Sequence, residues 1–189
     1  MTRAELKNAA KEQIKGKIGI LFVMLLIIGA LSAACGFIPV IGPIGALIIV
    51  PVFEISTCMV YLKLAKKEEI SVVDIFNGFN ITGKSVWLSI MIYIFTLLWS
   101  LLLIIPGIIK AYSYSMASYI LADNTELTAS EALTKSKEIM NGHKFELFVL
   151  QLSFFWWYLL GSITFGIAYI YVIPYVNATM TNFYNSIKE

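Results

Sequence analysis

Apolar runs close to the length needed to cross a bilayer recur along this chain, at Ile18–Ala34, Ile44–Leu62, Val86–Ile105 and Gly166–Tyr184. Nothing else in the sequence limits the fold as much. Residues withdrawn from water over such a length must pair every backbone amide internally, and an α-helix does so within a single segment. Composition agrees. Of 189 residues 59% are hydrophobic and only 14% charged, too few to cover the surface of a soluble domain of this size. No ten-residue segments of strict alternation suggest a membrane β-barrel. The sequence therefore predicts an all-α polytopic membrane protein forming one integral membrane domain over residues 1–189.

An internal repeat sets the expected architecture. Thr2–Leu26 aligns with Thr128–Leu152 without a gap, pairing Thr2 with Thr128, Glu5 with Glu131, Lys11 with Lys137, Gly16 with Gly142 and Leu21–Val23 with Leu147–Val149. Each copy opens on a Thr-x-x-Glu capping box, in which hydroxyl and carboxylate satisfy free N–H groups at a helix start. Each polar helix then meets a glycine suited to a C-cap, and an apolar run follows. A weaker third copy lies in "SVVDIFNGFNITGKSVW", where Ser71 and Asp74 have capping-box spacing and Gly83 is expected to end the element. Pro39, Pro106 and Gly166 follow the three glycines by 23, 23 and 24 residues, where a first membrane helix should emerge.

The predicted unit is a cytoplasmic amphipathic helix, a helix out, an apolar tip and a helix back. Three units, about 1–65, 70–122 and 127–187, give six transmembrane helices in three hairpins with pseudo-threefold repetition. Charge placement supports this. With the N-terminus in the cytoplasm, all fourteen basic residues except Lys110 fall in inner segments, as the positive-inside rule requires. One kinked helix over Val86–Ala122 would be about 55 Å long and would move Lys135, Lys137 and Lys144 outside. Tyr61, Trp87, Tyr119 and Tyr184 then fall near the inner boundary, and Trp99, Trp156, Trp157 and Tyr169 near the outer one.

Several function classes drop out. A net charge of +2 with no separate basic stripe does not suggest nucleic acid. Cys35 and Cys58 are expected at different helix depths, and no Cys/His spacing suggests a metal or other cofactor. "LIIGALSAACG" has a signal-peptide or lipoprotein-box look. Ser32, three before the cysteine, and the two acids of the preceding amphipathic segment argue against cleavage. No serine, cysteine or lysine has a general base beside it, so the chain is read as non-enzymatic.

The runs "LLLIIPGIIKAYSYSMASYILADN", "SEALTKSKEIMNGHKFELFVLQLSF" and "IPYVNATMTNFY" resemble the bacterial membrane proteins called Domain of Unknown Function 975. The resemblance covers essentially the whole chain, most closely Ile105–Phe154 and Pro174–Tyr184. Members are similar to the membrane domain attached to some glycerophosphodiester phosphodiesterases. That implies an integral membrane fold near lipid metabolism and brings no catalytic residues. The sequence departs from the family pattern at Glu54, where a small or apolar residue is expected, and at Phe155, where glycine is common.

Four polar residues are expected near the midplane of their helices: Glu54, Thr96, Gln151 and Asn177. They are the candidate intramembrane pocket, for a proton, a cation or a lipid head group. The alternative is interhelical hydrogen bonding alone. "IIPGIIK" is expected to be the outer tip of the middle hairpin. Lys110, one turn beyond, could snorkel as an outer-interface anchor or phosphate contact.

The leading expectation is a protein that organises lipid or protein partners at the inner face of the bacterial cell membrane, with both termini cytoplasmic. Its basic caps would meet anionic head groups, each cation contributing about 1 kcal/mol. The rival is a small transporter or lipid-handling protein with a central polar pocket around Glu54.

Overall fold

The computed structural model describes residues 1–36 and 41–188, so the expected tip at Pro39 lies outside the described residues. The described chain is helical: α1 (Arg3–Ile14), α2 (Ile18–Gly36), α3 (Ile41–Ala65), a 3₁₀ helix (Val72–Ile81), α4 (Thr82–Leu102), α5 (Ile104–Tyr114), α6 (Ala117–Asp123), α7 (Ala129–Ile139), α8 (Lys144–Leu152), α9 (Phe155–Ile163) and α10 (Tyr169–Ile187). Four stretches are long and apolar enough to cross a membrane: Ile18–Cys35, Gly45–Ala65, Val72–Leu101 and Lys144–Ile163. Large apolar side chains left in the open lie along α2, α4, α8 and α9 and at their far ends, where Phe165 is 98% exposed. Such a surface is stable only against an apolar medium, and the chain is a membrane protein.

The polar helices form where the capping boxes predict. Thr2 Oγ1 accepts from the Glu5 N–H at 3.3 Å while the Glu5 carboxylate accepts from the Thr2 N–H at 2.9 Å. Thr128 and Glu131 repeat both bonds, at 3.3 and 2.8 Å. Gly16 and Gly142 take left-handed φ values of +76° and +89°, as helix-ending glycines do. Burial matches across the two copies: Ile14 with Met140, Leu21 with Leu147 and Met24 with Leu150 all point inward.

The middle element differs from expectation. Ser71 and Asp74 do start a helix, with the Ser71 N–H donating to Asp74 at 2.9 Å, but it is 3₁₀ and continues directly into α4. Gly83 does not end it; it sits in the first turn of α4 without a left-handed φ. The element also makes a close approach to α3. Gly78 N–H donates to Ser56 Oγ at 2.9 Å, and a Cβ on Gly78 would lie 2.5 Å from the Val52 carbonyl.

The expected tip at Pro106–Gly107 is also displaced. The chain reverses at Leu103, which is extended (φ −161°, ψ 142°), and α5 begins at the next residue. Pro106 thus falls in the first turn of α5, where its missing N–H costs nothing. Gly107 is the contact point with α4, since a Cβ there would come 2.8 Å from Ser100 Cα.

The buried centre is made by α3, α6 and α10, with α2, α4 and α8–α9 outside them. The 3₁₀ helix packs on α3, α7 on α6, and α1 on α10. Two of these contacts repair helix breaks. Between α5 and α6, Ser136 Oγ of α7 donates to the Ser113 carbonyl at 2.8 Å and accepts from the Met116 N–H at 3.2 Å. Between α8 and α9, Lys7 Nζ of α1 donates to the Ser153 carbonyl at 3.2 Å. On α10, buried Asn182 accepts from Gln13 Nε2 at 2.9 Å and donates to the Leu6 carbonyl at 3.3 Å.

Replacing Asn182 with Ala should cost about 1–3 kcal/mol of stability, because it strands polar partners across the α1–α10 contact. Unfolding in detergent measures this. In the same assay Gly78→Val should destabilise by a similar about 1–3 kcal/mol through overpacking. Gly83→Ala, with open space around its Cβ position, should be neutral or slightly stabilising.

Candidate functional site

Glu54 sits midway along α3, opposite Ser118 of α6, whose Oγ donates to Glu54 Oε1 at 2.6 Å. The carboxyl borders two cavities. One, of about 430 Å³, is lined by Glu54, Thr57, Cys58, Tyr61, Tyr119 and Asn177. The other, of about 380 Å³, is lined by Glu54, Ser89, Tyr93, Thr96, Ser115 and Ser118. No basic group lies within ion-pair range of Glu54 among the described residues. The site offers one carboxyl with hydroxyls and an amide, a set able to hold a proton, a small cation or an ammonium head group.

Of the four expected pocket residues the fold brings three to Glu54's cavities. Asn177 shares the first with it and Thr96 the second. The Thr96 hydroxyl is buried and has no hydrogen-bond partner among the described residues. Gln151 is elsewhere. Its Oε1 accepts from the Tyr112 hydroxyl at 2.9 Å on the exposed flank between α5 and α8. Gln151 follows Phe148 by three residues along α8, and Phe148 packs edge-on against Tyr112 with ring centroids 6.1 Å apart, so this side of α8 faces α5 while Leu147 faces the core. Lys110 is seven residues beyond the reversal at Leu103, two turns instead of one, and its ammonium lies 4.5 Å from the centroid of the Trp99 ring. Trp99 is one turn before the reversal, so the lysine reaches back towards the tip and is held there by cation–π attraction.

Two groups went unnoticed in the sequence. Ser118 carries no signal of its own; only the crossing of α3 and α6 makes it Glu54's donor. Asp123, at the end of α6, gathers the ends of all three central helices. It accepts from Lys66 after α3 at 3.3 Å and from Lys188 after α10 at 3.0 Å. It also accepts from the Tyr184 hydroxyl at 3.2 Å, while Tyr184 stacks on Tyr119 with ring centroids 5.8 Å apart. Partial burial pushes the Asp123 carboxyl up. The ammonium groups of Lys188 and Lys66 more than offset this and hold it below the usual carboxylate range. Asp74 likewise pairs with a lysine, Lys63, at 2.8 Å.

The sequence model of the family described as Protein of unknown function (DUF975) matches residues 1–113 and 100–189. The chain belongs to this family. The two matches together span it from end to end, so the DUF975 fold includes the polar caps as well as the apolar helices. No curated protein and no solved structure matches the chain significantly. The likeness of DUF975 members to phosphodiesterase membrane domains therefore rests on the sequence resemblance alone.

A carboxylate whose folded pKa is depressed adds stability above its unfolded pKa and loses it as pH falls through the folded value. Melting temperature in detergent should therefore drop as pH is lowered below about 4, the ordinary aspartate range. Asp123→Asn should be less stable at neutral pH and should flatten that drop.

Proposed function

We propose that this chain is a non-enzymatic integral membrane protein that organises lipid or protein partners at the inner face of the bacterial membrane, with both termini cytoplasmic. In this reading six membrane helices form three hairpins, α2/α3, α4/α5–α6 and α8–α9/α10, each introduced by a polar cap element. The matched capping boxes and matched burial of α1 and α7 support the repeat. So does the packing order, in which each cap lies on the inner helix of the hairpin before it and α1 closes the circle on α10.

The observation that carries the function is the contrast between the two ends of the bundle. One end exposes the apolar side chains of Leu101, Leu103, Ile104, Phe165 and Ile167. The other carries the caps, the Asp123 junction and all the lysines except Lys110. A rigid basic platform over anionic head groups concentrates such lipids beneath it and leaves the polar faces of α1 and α7 for proteins.

Vesicles containing self-quenching labelled phosphatidylglycerol test this. Reconstituted protein should increase quenching of the anionic probe and leave labelled phosphatidylcholine unchanged; equal effects on both would reject the platform.

The pocket between α3 and α6 favours a second reading, a small transporter or lipid-handling protein, because Glu54 stands between two cavities without a cationic partner among the described residues. Glu54→Gln keeps the hydrogen bond from Ser118 and removes the charge. The platform reading expects that variant to match the original protein in lipid quenching and in melting. A rise in melting temperature with added cations, present in the original and lost in Glu54→Gln, would favour the pocket instead.

A further inference from the structure

The basic residues of α1 are not spread evenly around it. Arg3, Lys7 and Lys11 are four residues apart and share one face, where like charges destabilise the helix unless an anion joins them. None is within 4 Å of a carboxylate among the described residues. This face looks onto the α8–α9 break and onto Tyr175 of α10. Lys7 Nζ stands 4.1 Å from the centroid of the buried Phe154 ring, and Lys11 Nζ stands 5.6 Å from that of Tyr175. Arg3 lines a groove of about 540 Å³ bordered by Phe145, Val149 and Leu150 of α8 and by Phe183 and Ile187 of α10. Glu146 also borders the groove, and His143 Nδ1 holds it at 2.8 Å. Burial, with the charges of Lys11 and Arg3, pushes the Lys7 ammonium below its ordinary range.

Arg3 lines the groove itself. Lys7, which also donates to the Ser153 carbonyl at 3.2 Å, and Lys11 follow it along α1 outside the groove lining. An apolar wall beside this row of cations has the chemistry of a phospholipid site. We propose that the groove between α1 and α8 binds one anionic phospholipid of the cytoplasmic leaflet, its phosphate contacted by Arg3, Lys7 and Lys11 and its acyl chain lying along Phe145 and Val149. The site is particular to this end of the molecule. In α7 the repeat keeps Lys137, 5.5 Å from the Tyr114 centroid as Lys11 is from Tyr175, but puts Ala129 and Leu133 where α1 has Arg3 and Lys7. One lipid per chain follows. A guanidinium with ammonium groups one and two turns further along the helix suits a phosphate better than a carboxylate, because a phosphate offers more acceptor oxygens to such donors. The inference rests on the inner-face orientation proposed above.

The full-length protein, extracted in mild detergent with mixed phosphatidylglycerol and phosphatidylcholine, is examined by native mass spectrometry and by lipid titration. One phosphatidylglycerol should remain per chain, and inorganic phosphate at millimolar concentration should not displace it. Displacement would mean a free-phosphate site and overturn the lipid assignment. The variant R3Q/K7Q/K11Q should weaken retention on the order of a hundredfold, about fivefold for each charge. A control lacking three cations of other faces, K15Q/K135Q/K144Q, should retain the lipid. Equal loss in both variants would reduce the effect to diffuse attraction, overturning the groove while leaving the inner-face reading intact. No preference for the anionic lipid in the original protein would overturn both. Should the triple variant unfold, K7R and K11E replace it: the first should keep the bound lipid and the second lose it, and the reverse or equal behaviour would reject the site.

Discussion

The contact between α1 and α10 is the one on which the rest of the arrangement depends. The other two caps pack on helices that directly precede them, through connections of a few residues, and local geometry nearly ensures both contacts. The first cap has no such neighbour. It must find a helix at the other end of the chain, and it does so through Asn182, whose amide serves both Gln13 and the Leu6 carbonyl. Once α1 is seated, Lys7 reaches the carbonyl exposed at the α8–α9 break, and Arg3 comes to border the groove beside α8.

Helix breaks explain why polar caps are tied so closely to an apolar bundle. A backbone group freed inside an apolar helix is costly unless something donates to it or accepts from it. Ser136 serves both sides of the α5–α6 break and Lys7 serves the α8–α9 break, so each interruption is also an attachment point. Asp123 does the equivalent work at the ends of the central helices, drawing Lys66 and Lys188 to one carboxylate. The caps, the breaks and the junction together tie the polar elements to the apolar bundle.

Much of this was legible in local sequence. The capping boxes at Thr2 and Thr128, the left-handed glycines at 16 and 142, and the apolar stretches depend on residues within a few positions of each other, so spacing alone reveals them. Pro106–Gly107 misled because both residues have turn chemistry, yet proline is equally suited to a first helical turn and glycine to a close helix crossing. Ser100 across that crossing decides between the two roles, and no spacing rule refers to it. Gly83 failed for the related reason that a glycine ends a helix only when its φ becomes positive.

The sequence by itself determined that this chain would be a helical membrane protein with polar caps, because hydrophobic length, capping and helix termination are properties of contiguous residues. Which polar residues would meet was left to the tertiary structure. Glu54, Thr96, Gln151 and Asn177 looked alike as polar groups at similar depth, but helix rotation placed three around shared cavities and turned Gln151 to Tyr112 on the flank. Rotation is fixed by packing between helices distant in the chain, where a single residue's shift carries a side chain through about 100°. For the same reason Ser118, Asp123 and the row of cations on α1 acquired their partners only when the helices came together.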